Sequence, residues 1–223
     1  GRPAGPNREI RPPRPESATT PMTGVTADAP AKLNLWLHVL GRRPDGRHEL
    51  DSLVAFTRHG DRVTVTPADT LRLSADGPFA SALPAGGDNL VTRAIQRLAA
   101  HAGREPRVAV HLSKALPVAA GLGGGSADAA AALEAAAQLW NVPLASDGIR
   151  QIARELGADV PVCLFGQPAR MGGTGERLTA APSLPAAPVL MVNPGVALST
   201  ADVFHRRVGP FSAPAAPPER RLD

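Results

Sequence analysis

The chain has 223 residues, of which 43% are hydrophobic and 3% aromatic, and a formal net charge of +4. This length suits one large domain or one and a half typical ones, and the composition is ordinary for a globular protein. The positive charge lies at the two ends, because residues 1–26 and 205–223 hold four arginines each, whereas residues 27–204 are neutral. A neutral central region with few aromatic residues argues against a nucleic-acid partner.

No membrane partner is expected either. The longest apolar stretch, residues 129–137, is too short to span a bilayer, and the first twenty residues lack the apolar core of a secretory signal. The single cysteine, Cys163, cannot form an intramolecular disulfide and suits a reducing compartment as a small buried residue. We therefore expect a cytoplasmic protein, whose oligomeric state the sequence leaves open.

The first elements in chain order are strands. Residues 1–24 are rich in proline and arginine and are expected to form a disordered tail. Apolar and polar residues alternate over 33–39, with Leu33, Leu35, Leu37 and Val39 in register, which predicts a strand with one buried face. A turn follows at residues 44–46, and two further strands are predicted at 50–56 and 62–66.

Helices and strands alternate through the rest of the chain, which together with the first strands indicates an α+β fold. Asp88 or Asn89 can cap the first helix, whose apolar face begins at Leu90. Gly157 is expected to end the third helix in a left-handed conformation. In order, the sequence predicts a strand at 107–112, helices at 126–140 and 146–156, and a short apolar strand at 189–192.

The most informative segment is the glycine-rich stretch 117–127, PVAAGLGGGSA, between a predicted strand and a predicted helix. Four glycines within residues 121–125 open backbone N–H groups to phosphate oxygens, and the helix N-terminus adds partial positive charge. Ser126 can cap the helix or reach a metal ion bound by the phosphates. The alternative is a flexible surface loop. The residues expected to bind ATP are Pro117, Val118, Ala119, Ala120, Gly121, Leu122, Gly123, Gly124, Gly125, Ser126 and Ala127.

The glycine-rich stretch is neither of the two common nucleotide fingerprints. No Gly-Lys-Ser/Thr sequence follows it, so it is not a Walker A loop. No acidic residue ends a second strand about 20 residues further on, as a Rossmann fingerprint requires.

The stretch instead resembles the second motif of the GHMP kinases, and PAKLNL at residues 30–35 resembles their first. Three more stretches resemble those GHMP kinases that act on 4-diphosphocytidyl-2-C-methyl-D-erythritol: GRRPDGRHEL at 41–50, LGADVPVCLF at 156–165 and NPGVALST at 193–200. The resemblance runs from about Ala29 to Phe204. Five motifs in the family's order are far more specific than a glycine loop alone.

The resemblance implies a two-lobed α+β kinase with its site between the lobes. It implies ATP-dependent phosphorylation of the 2-hydroxyl of that substrate in non-mevalonate isoprenoid biosynthesis, with Mg²⁺ arriving on ATP. Because the family continues beyond this point, the chain is expected to hold the N-terminal lobe and to lack most of the C-terminal lobe. The expected divisions are an ATP-binding domain at 25–170, the start of the second domain at 171–208 and a disordered tail at 209–223.

Two residues are expected to be catalytic. Asp159 would accept the proton of the acceptor hydroxyl, the alternative being an Asx turn before Pro161. Lys32, at the start of an apolar strand, would hold Asp159 ionised and stabilise charge on the transferred phosphate. Its alternative is an edge-strand lysine that prevents aggregation.

Six residues are expected to contact the substrate. Arg47 stands where the family has a tyrosine that stacks on cytosine, and its planar guanidinium can stack instead. His48 would hydrogen-bond the cytosine edge, the alternative being a solvated surface histidine. Lys114 is equally compatible with a surface position, and Phe204 with a core position. The full set is Asn34, Arg47, His48, Lys114, Thr200 and Phe204.

Two other hypotheses remain open. The chain could be another GHMP kinase, acting on mevalonate or homoserine, although residues 45–48 suit a nucleotide base. It could also be an inactive fragment that at most binds nucleotide. No protein metal site is predicted, because no second ligand stands at metal-binding spacing from His48.

Overall fold

The computed structural model describes residues 24–84, 89–193 and 200–216. The expected disordered tail at 1–24 lies outside this part except for Gly24, as does the candidate cap Asp88. The strands are β1 (Val25–Arg42), β2 (His48–Pro67), β3 (Arg72–Asp76), β4 (Val108–Ser113), β5 (Ala169–Gly173) and β6 (Arg177–Ala180). The helices are α1 (Leu90–His101), α2 (Gly124–Trp140), α3 (Asp147–Leu156), α4 (Val160–Phe165) and α5 (Thr200–His205), with a 3₁₀ turn at Ala80–Ala82.

The six strands form one sheet centred on β2. β1 pairs antiparallel along β2, while β4 and β5 pair with the second and first halves of β2's other edge. β3 adds to β4 in parallel and β6 to β5 antiparallel. The prediction of separate strands at 50–56 and 62–66 is wrong, because Gly60 and Asp61 between them still pair with β1 across a bulge.

The helices α1, α2 and α3 contribute to one apolar core with the sheet. α2 packs against β1 and β2, and most of its buried residues are alanines, whose small side chains allow the helix to approach the strands closely. Asn89 caps α1 by accepting a hydrogen bond from Thr92 N, which confirms one of the two predicted caps. No helix in the described ranges is both long and apolar enough to span a bilayer.

The predicted buried face of β1 is wrong in its central part. Leu35 and Leu37 are 53% and 41% exposed, whereas Ala27 and Ala29 on the helix side are buried. A register shift between Pro30 and Lys32 changes the alternation of the strand. The bulge therefore turns the leucines away from the helices.

Two other local predictions are also wrong. Gly157 ends α3 with φ 166° and ψ 158°, which is extended backbone that any residue adopts, so no left-handed stop occurs there. Residues 189–192 form no strand and are exposed, because no described strand lies beside them to complete the hydrogen bonding.

The expected divisions of the chain also change. β5 lies across the expected boundary at 170/171 and pairs with β2, so that boundary would cut through the sheet. In the expected C-terminal tail, residues 209–216 are described and bond to the sheet: Ser212 N donates to Val39 O, and Ala215 N donates to the Asp51 carboxylate. Only residues 217–223 of that tail lie outside the described part.

Candidate active site

The glycine loop lines a cavity of about 380 Å³ at the N-terminus of α2. Ten of the eleven residues expected to bind ATP line this cavity, and the eleventh, Ala127, lies buried behind it. Asn89 and Leu90, at the start of α1, form part of the facing wall. The predicted loop therefore borders a concave site whose backbone is open to a ligand.

The loop depends on left-handed backbone. Gly121 and Gly123 have φ values of 73° and 65°, a region that residues with a Cβ adopt at a cost. A Cβ on Gly123 would lie only 3.0 Å from Lys32 Cβ, so glycine also allows β1 to approach. Gly123 occupies the N-cap of α2 and no side chain caps the helix, so the predicted capping role of Ser126 is wrong. The uncapped N–H groups remain available to an anion.

Lys32 and Asp159 lie together at the edge of this cavity. Lys32 Nζ is 3.5 Å from Asp159 Oδ2 and donates to Asn34 Oδ1 at 2.7 Å. The Lys32 backbone N–H also donates to Leu122 O at 2.8 Å, which ties β1 to the glycine loop. Lys32 is buried, so the alternative of an exposed edge lysine is wrong.

The surroundings of this pair fix its geometry. Asn34 Nδ2 donates to Ser52 Oγ at 2.7 Å, and Ser52 Oγ donates to Trp36 O at 2.6 Å, so a hydrogen-bonded chain holds the amide that Lys32 contacts. Asp159 precedes α4, but its side chain makes no capping hydrogen bond. The Asp159 carboxylate therefore remains directed at the cavity, which it lines.

A second ionic cluster lies beneath the glycine loop, and sequence reasoning missed two of its three members. Lys114 donates to carboxylate oxygens of both Asp61 and Asp128, and all three side chains are buried. Asp61 Oδ1 also accepts the backbone N–H groups of Ala115 and Leu116, at 2.6 and 2.8 Å. The cluster thus joins the residues that lead into the loop to the helix that leads out of it.

Burial affects the protonation of one carboxyl group in this cluster. Burial raises the pKa of the Asp128 carboxyl to about 7, against the opposing effect of Lys114, and Asp61 raises it further. Asp128 Oδ1 is buried and has no hydrogen-bond partner among the described residues. The sequence signal for Asp128 was a lone charge within the apolar stretch 127–133. Because Lys114 is buried, its alternative as a surface lysine is wrong, and its contact with a ligand stays a prediction.

A second cavity, of about 630 Å³, collects the residues expected to bind the base. The rings of His48 and Phe204 stack with centroids 4.9 Å apart and planes 18° apart, and both line this cavity with Arg47. Phe204 is only half-buried and belongs to no core cluster of the described residues, so its alternative as a core residue is wrong. Arg47 is exposed, and its N–H donates to Asp45 Oδ1 in the turn. The side chain of Thr200 lies outside the described part.

The two cavities meet at one short segment. Asp159 lines the glycine-loop cavity, whereas Gly157, Ala158 and Pro161 line the second. The Asp159 carboxylate thus lies in the cavity of the glycine loop, directly after residues that line the cavity of the stacked rings.

The chain is similar to known proteins in its sequence. Residues 89–167 match the model of the GHMP kinases N terminal domain. A protein of Paramagnetospirillum magneticum named 4-diphosphocytidyl-2-C-methyl-D-erythritol kinase is 53% identical over 192 residues, which cover 86% of this chain and 67% of that protein. A protein of the same name from Parvibaculum lavamentivorans is 48% identical over 204 residues, covering 89% and 70%. The chain therefore spans about two thirds of the length of these curated relatives.

The fold of the chain is also similar to those of solved structures. The crystal structure of a 4-(cytidine 5'-diphospho)-2C-methyl-D-erythritol kinase matches with a TM-score of 0.60 and 41% identity, covering 70% of this chain and 55% of that one. A homoserine kinase from Cytophaga hutchinsonii matches with a TM-score of 0.61 at 20% identity, covering 90% and 64%, and shares the fold.

Proposed function

This chain belongs to the 4-diphosphocytidyl-2-C-methyl-D-erythritol kinase family, within the GHMP kinases, and we propose that it transfers the γ-phosphate of ATP to the 2-hydroxyl of 4-diphosphocytidyl-2-C-methyl-D-erythritol. The observation that carries the proposal is that Asp159 lines the cavity of the glycine loop directly after Ala158, which lines the second cavity, with Lys32 Nζ 3.5 Å away. The hydroxyl of the substrate and the γ-phosphate of ATP would come together beside this carboxylate.

The glycine loop is proposed to hold the phosphates of ATP. Its left-handed glycines leave backbone N–H groups uncovered, and the N-terminus of α2 adds partial positive charge beside them. Leu90 and Val91 offer an apolar wall in the same cavity, which suits the adenine ring. The donor phosphate would then point along the loop toward Asp159.

Asp159 is the proposed general base. Its carboxylate accepts the proton of the 2-hydroxyl as that oxygen attacks the γ-phosphorus, and the bond from this phosphorus to the leaving oxygen of ADP breaks. The Lys32 ammonium group offsets negative charge near the carboxylate and the transferred phosphate. Asn34 holds Lys32 and faces the same site, where its amide is proposed to contact the acceptor.

Magnesium is proposed to reach the site bound to the phosphates of ATP, where it would neutralise charge that develops during transfer. In the described ranges no three His, Cys, Asp or Glu side chains are grouped as a cation site, so the phosphates are its expected main ligands.

The stacked His48 and Phe204 are proposed to bind the cytosine, with Arg47 beside them. Aromatic rings stabilise a planar base by stacking, and the His48 ring nitrogens offer hydrogen bonds to its edge. Thr200 is proposed to contact the cytidine from the same helix as Phe204. The single cysteine favours a cytoplasmic location.

An acceptor comparison on the intact protein tests the proposal. ADP release is followed with ATP and 4-diphosphocytidyl-2-C-methyl-D-erythritol, mevalonate or homoserine, and product is checked by ³¹P NMR. We expect turnover only with the cytidine substrate. Turnover on mevalonate or homoserine, and none on the cytidine substrate, would assign the chain to another GHMP activity. Nucleotide binding without any turnover would leave only a binding protein.

A further inference from the structure

A half-buried ion pair on the sheet holds a backbone segment from the C-terminal part of the chain. Asp51 on β2 and Arg170 on β5 form a bidentate pair, with Nε to Oδ1 at 2.7 Å and Nη2 to Oδ2 at 2.8 Å. Asp51 is buried. Such fork-to-fork pairs are geometrically specific, because two parallel hydrogen bonds fix both side chains.

The same ion pair also binds both backbone polar groups of Ala215. Ala215 N donates to Asp51 Oδ2 at 2.7 Å, and Arg170 Nη2 donates to Ala215 O at 2.8 Å. Two further bonds lie just upstream, from Ser212 N to Val39 O at 2.9 Å and between His38 Nδ1 and Ala213 O at 3.0 Å. Residues 212–215 are thus fixed on the sheet without regular secondary structure of their own.

We propose that the Asp51–Arg170 pair acts as a clasp that positions Phe204 against His48. The ion-pair contact with Ala215 and the stacking of His48 on Phe204 join the same two parts of the chain. His48 and Asp51 are both on β2, and Phe204 and Ala215 are both in the C-terminal segment. When the ion pair binds Ala215, the effective concentration of Phe204 near His48 rises, because less conformational entropy is lost when the two rings then stack. The proposal rests on the function proposed above, in which His48 and Phe204 bind the base.

The chain between the clasp and the stack is itself restrained. The Arg207 guanidinium donates to the carbonyl groups of Gly209 and Pro210 and lies 4.8 Å from the centroid of the Phe211 ring. These contacts fold the residues after α5 into a compact turn. A displacement of Ala215 would therefore be passed on to Phe204 rather than absorbed by a slack linker.

The clasp stays charged at neutral pH. The hydrogen bond from Arg170, joined by the N–H of Ala215, holds the pKa of the Asp51 carboxyl below its usual range, although burial acts in the opposite direction. Both members thus keep the charge-assisted bonds to Ala215 under ordinary assay conditions.

Three variants of the intact protein test the clasp. Asp51→Asn removes the carboxylate charge from the pair, and Ala215→Pro removes the N–H from which Asp51 accepts a hydrogen bond without changing a residue of the sheet. Ala215→Ser is the matched control, because it keeps the backbone N–H and carbonyl group that the pair binds. Hydrogen–deuterium exchange of the peptides that hold Phe204 and residues 210–216 is measured alongside KM for the cytidine substrate and for ATP.

The clasp predicts faster exchange in both peptides and a KM for the cytidine substrate raised by roughly tenfold, the change that about 1.4 kcal/mol gives. The KM for ATP should stay within about twofold, and the control should behave like the wild type. Faster exchange at 210–216 with unchanged exchange at Phe204, or with unchanged KM for the cytidine substrate, overturns the proposal. If the wild-type protein does not turn over the cytidine substrate, the proposed function fails, and exchange of the Phe204 peptide alone then decides for or against the clasp.

Discussion

Lys32 and Asp159 form an ion pair whose two members differ in exposure: the lysine side chain is 4% exposed and the aspartate 39%. The lysine is held from behind by Asn34 and by its own backbone bond to Leu122, so the ammonium group has little freedom. The carboxylate keeps an open face toward the cavity. A base that must meet a substrate needs this asymmetry, because a pair buried on both sides would leave no room for the hydroxyl.

Asp159→Asn should lower the rate of phosphate transfer strongly while nucleotide binding persists. The amide keeps the shape of the side chain but cannot accept the hydroxyl proton, so we expect kcat to fall by about 10²–10⁴-fold. ATP affinity, measured by calorimetry, should change little, because the proposed phosphate site is the glycine loop and not the Asp159 side chain. Asp147→Asn, at an exposed position on α3, is the control. Near wild-type turnover in Asp159→Asn would mean that the carboxylate is structural.

Replacing either of two neighbouring glycines by valine should affect a different property, ATP binding in one case and stability in the other. A Cβ on Gly125 would lie 3.8 Å from Leu90 Cδ1 at the cavity wall, so Gly125→Val should raise the KM for ATP by roughly tenfold or more with little loss of stability. A Cβ on Gly124 would lie 3.1 Å from Lys114 Nζ, so Gly124→Val should disturb the ionic cluster and lower stability.

Kinetics and urea unfolding of both glycine variants separate the two effects. Unchanged ATP affinity in Gly125→Val would show that the loop does not touch phosphate. Unchanged stability in Gly124→Val would show that the lysine can move aside at no cost.

The sequence was informative where a function depends on short segments. The glycine loop, the ion pair of Lys32 with Asp159, and the shared face of Lys32 and Asn34 all follow from residues close in sequence or from recognisable motifs. The cluster of Asp61, Lys114 and Asp128 does not, because its members come from separate elements and meet only when the sheet and α2 pack together.

The errors have a similar cause. A bulge in β1 gives no signal in the alternation, so alternation alone predicts the wrong face for Leu35 and Leu37. The segment 209–216 has the composition of a disordered tail, yet Asp51 and Arg170 bind its backbone, and backbone groups carry no sequence signal. Long-range pairing of this kind is visible only in the folded chain.

Lys114→Met should destabilise the protein strongly. It removes the cation between two buried carboxylates, and uncompensated buried charge typically costs about 3–5 kcal/mol. Urea unfolding at neutral pH measures the loss. The double variant Lys114→Met with Asp128→Leu should recover part of it, because one of the two carboxylates is then gone. A loss of unfolding free energy below about 1 kcal/mol in the single variant would contradict the view that Lys114 stabilises the fold through this cluster.

Cys163 should react slowly in the folded protein. Cys163 is partly buried rather than fully buried as expected, and this burial raises the pKa of its thiol to about 12, with the nearby Asp159 charge adding to the shift. A raised thiol pKa means less thiolate at a given pH, so at pH 8 roughly one molecule in 10⁴ would carry the nucleophile. Alkylation by iodoacetamide, followed on the Cys163 peptide, should be orders of magnitude slower in native protein than in urea-unfolded protein, and should accelerate up to strongly alkaline pH. Comparable native and unfolded rates at pH 8 would show that the thiol is not protected.

Arg47 stands where the family pattern has a tyrosine, and its role can be tested directly. Its side chain is exposed, it lines the cavity of the His48–Phe204 stack, and it has no ion-pair partner among the described residues. The guanidinium is therefore free to stack on the cytosine in place of a tyrosine ring. A stacked cation–π contact contributes roughly 0.5–2 kcal/mol, depending on desolvation.

Since every 1.4 kcal/mol is about tenfold in affinity, Arg47→Ala should weaken binding of the cytidine substrate from several-fold to tens-fold. ATP binding should hardly change, because the glycine loop lines a different cavity. Arg47→Tyr should restore affinity and Arg47→Lys should not, because lysine lacks the planar face. Calorimetry on the three variants across a salt series distinguishes stacking from pairing with the diphosphate. If lysine restores binding and tyrosine does not, or if affinity falls steeply with salt, Arg47 acts through its charge and the stacking role is wrong.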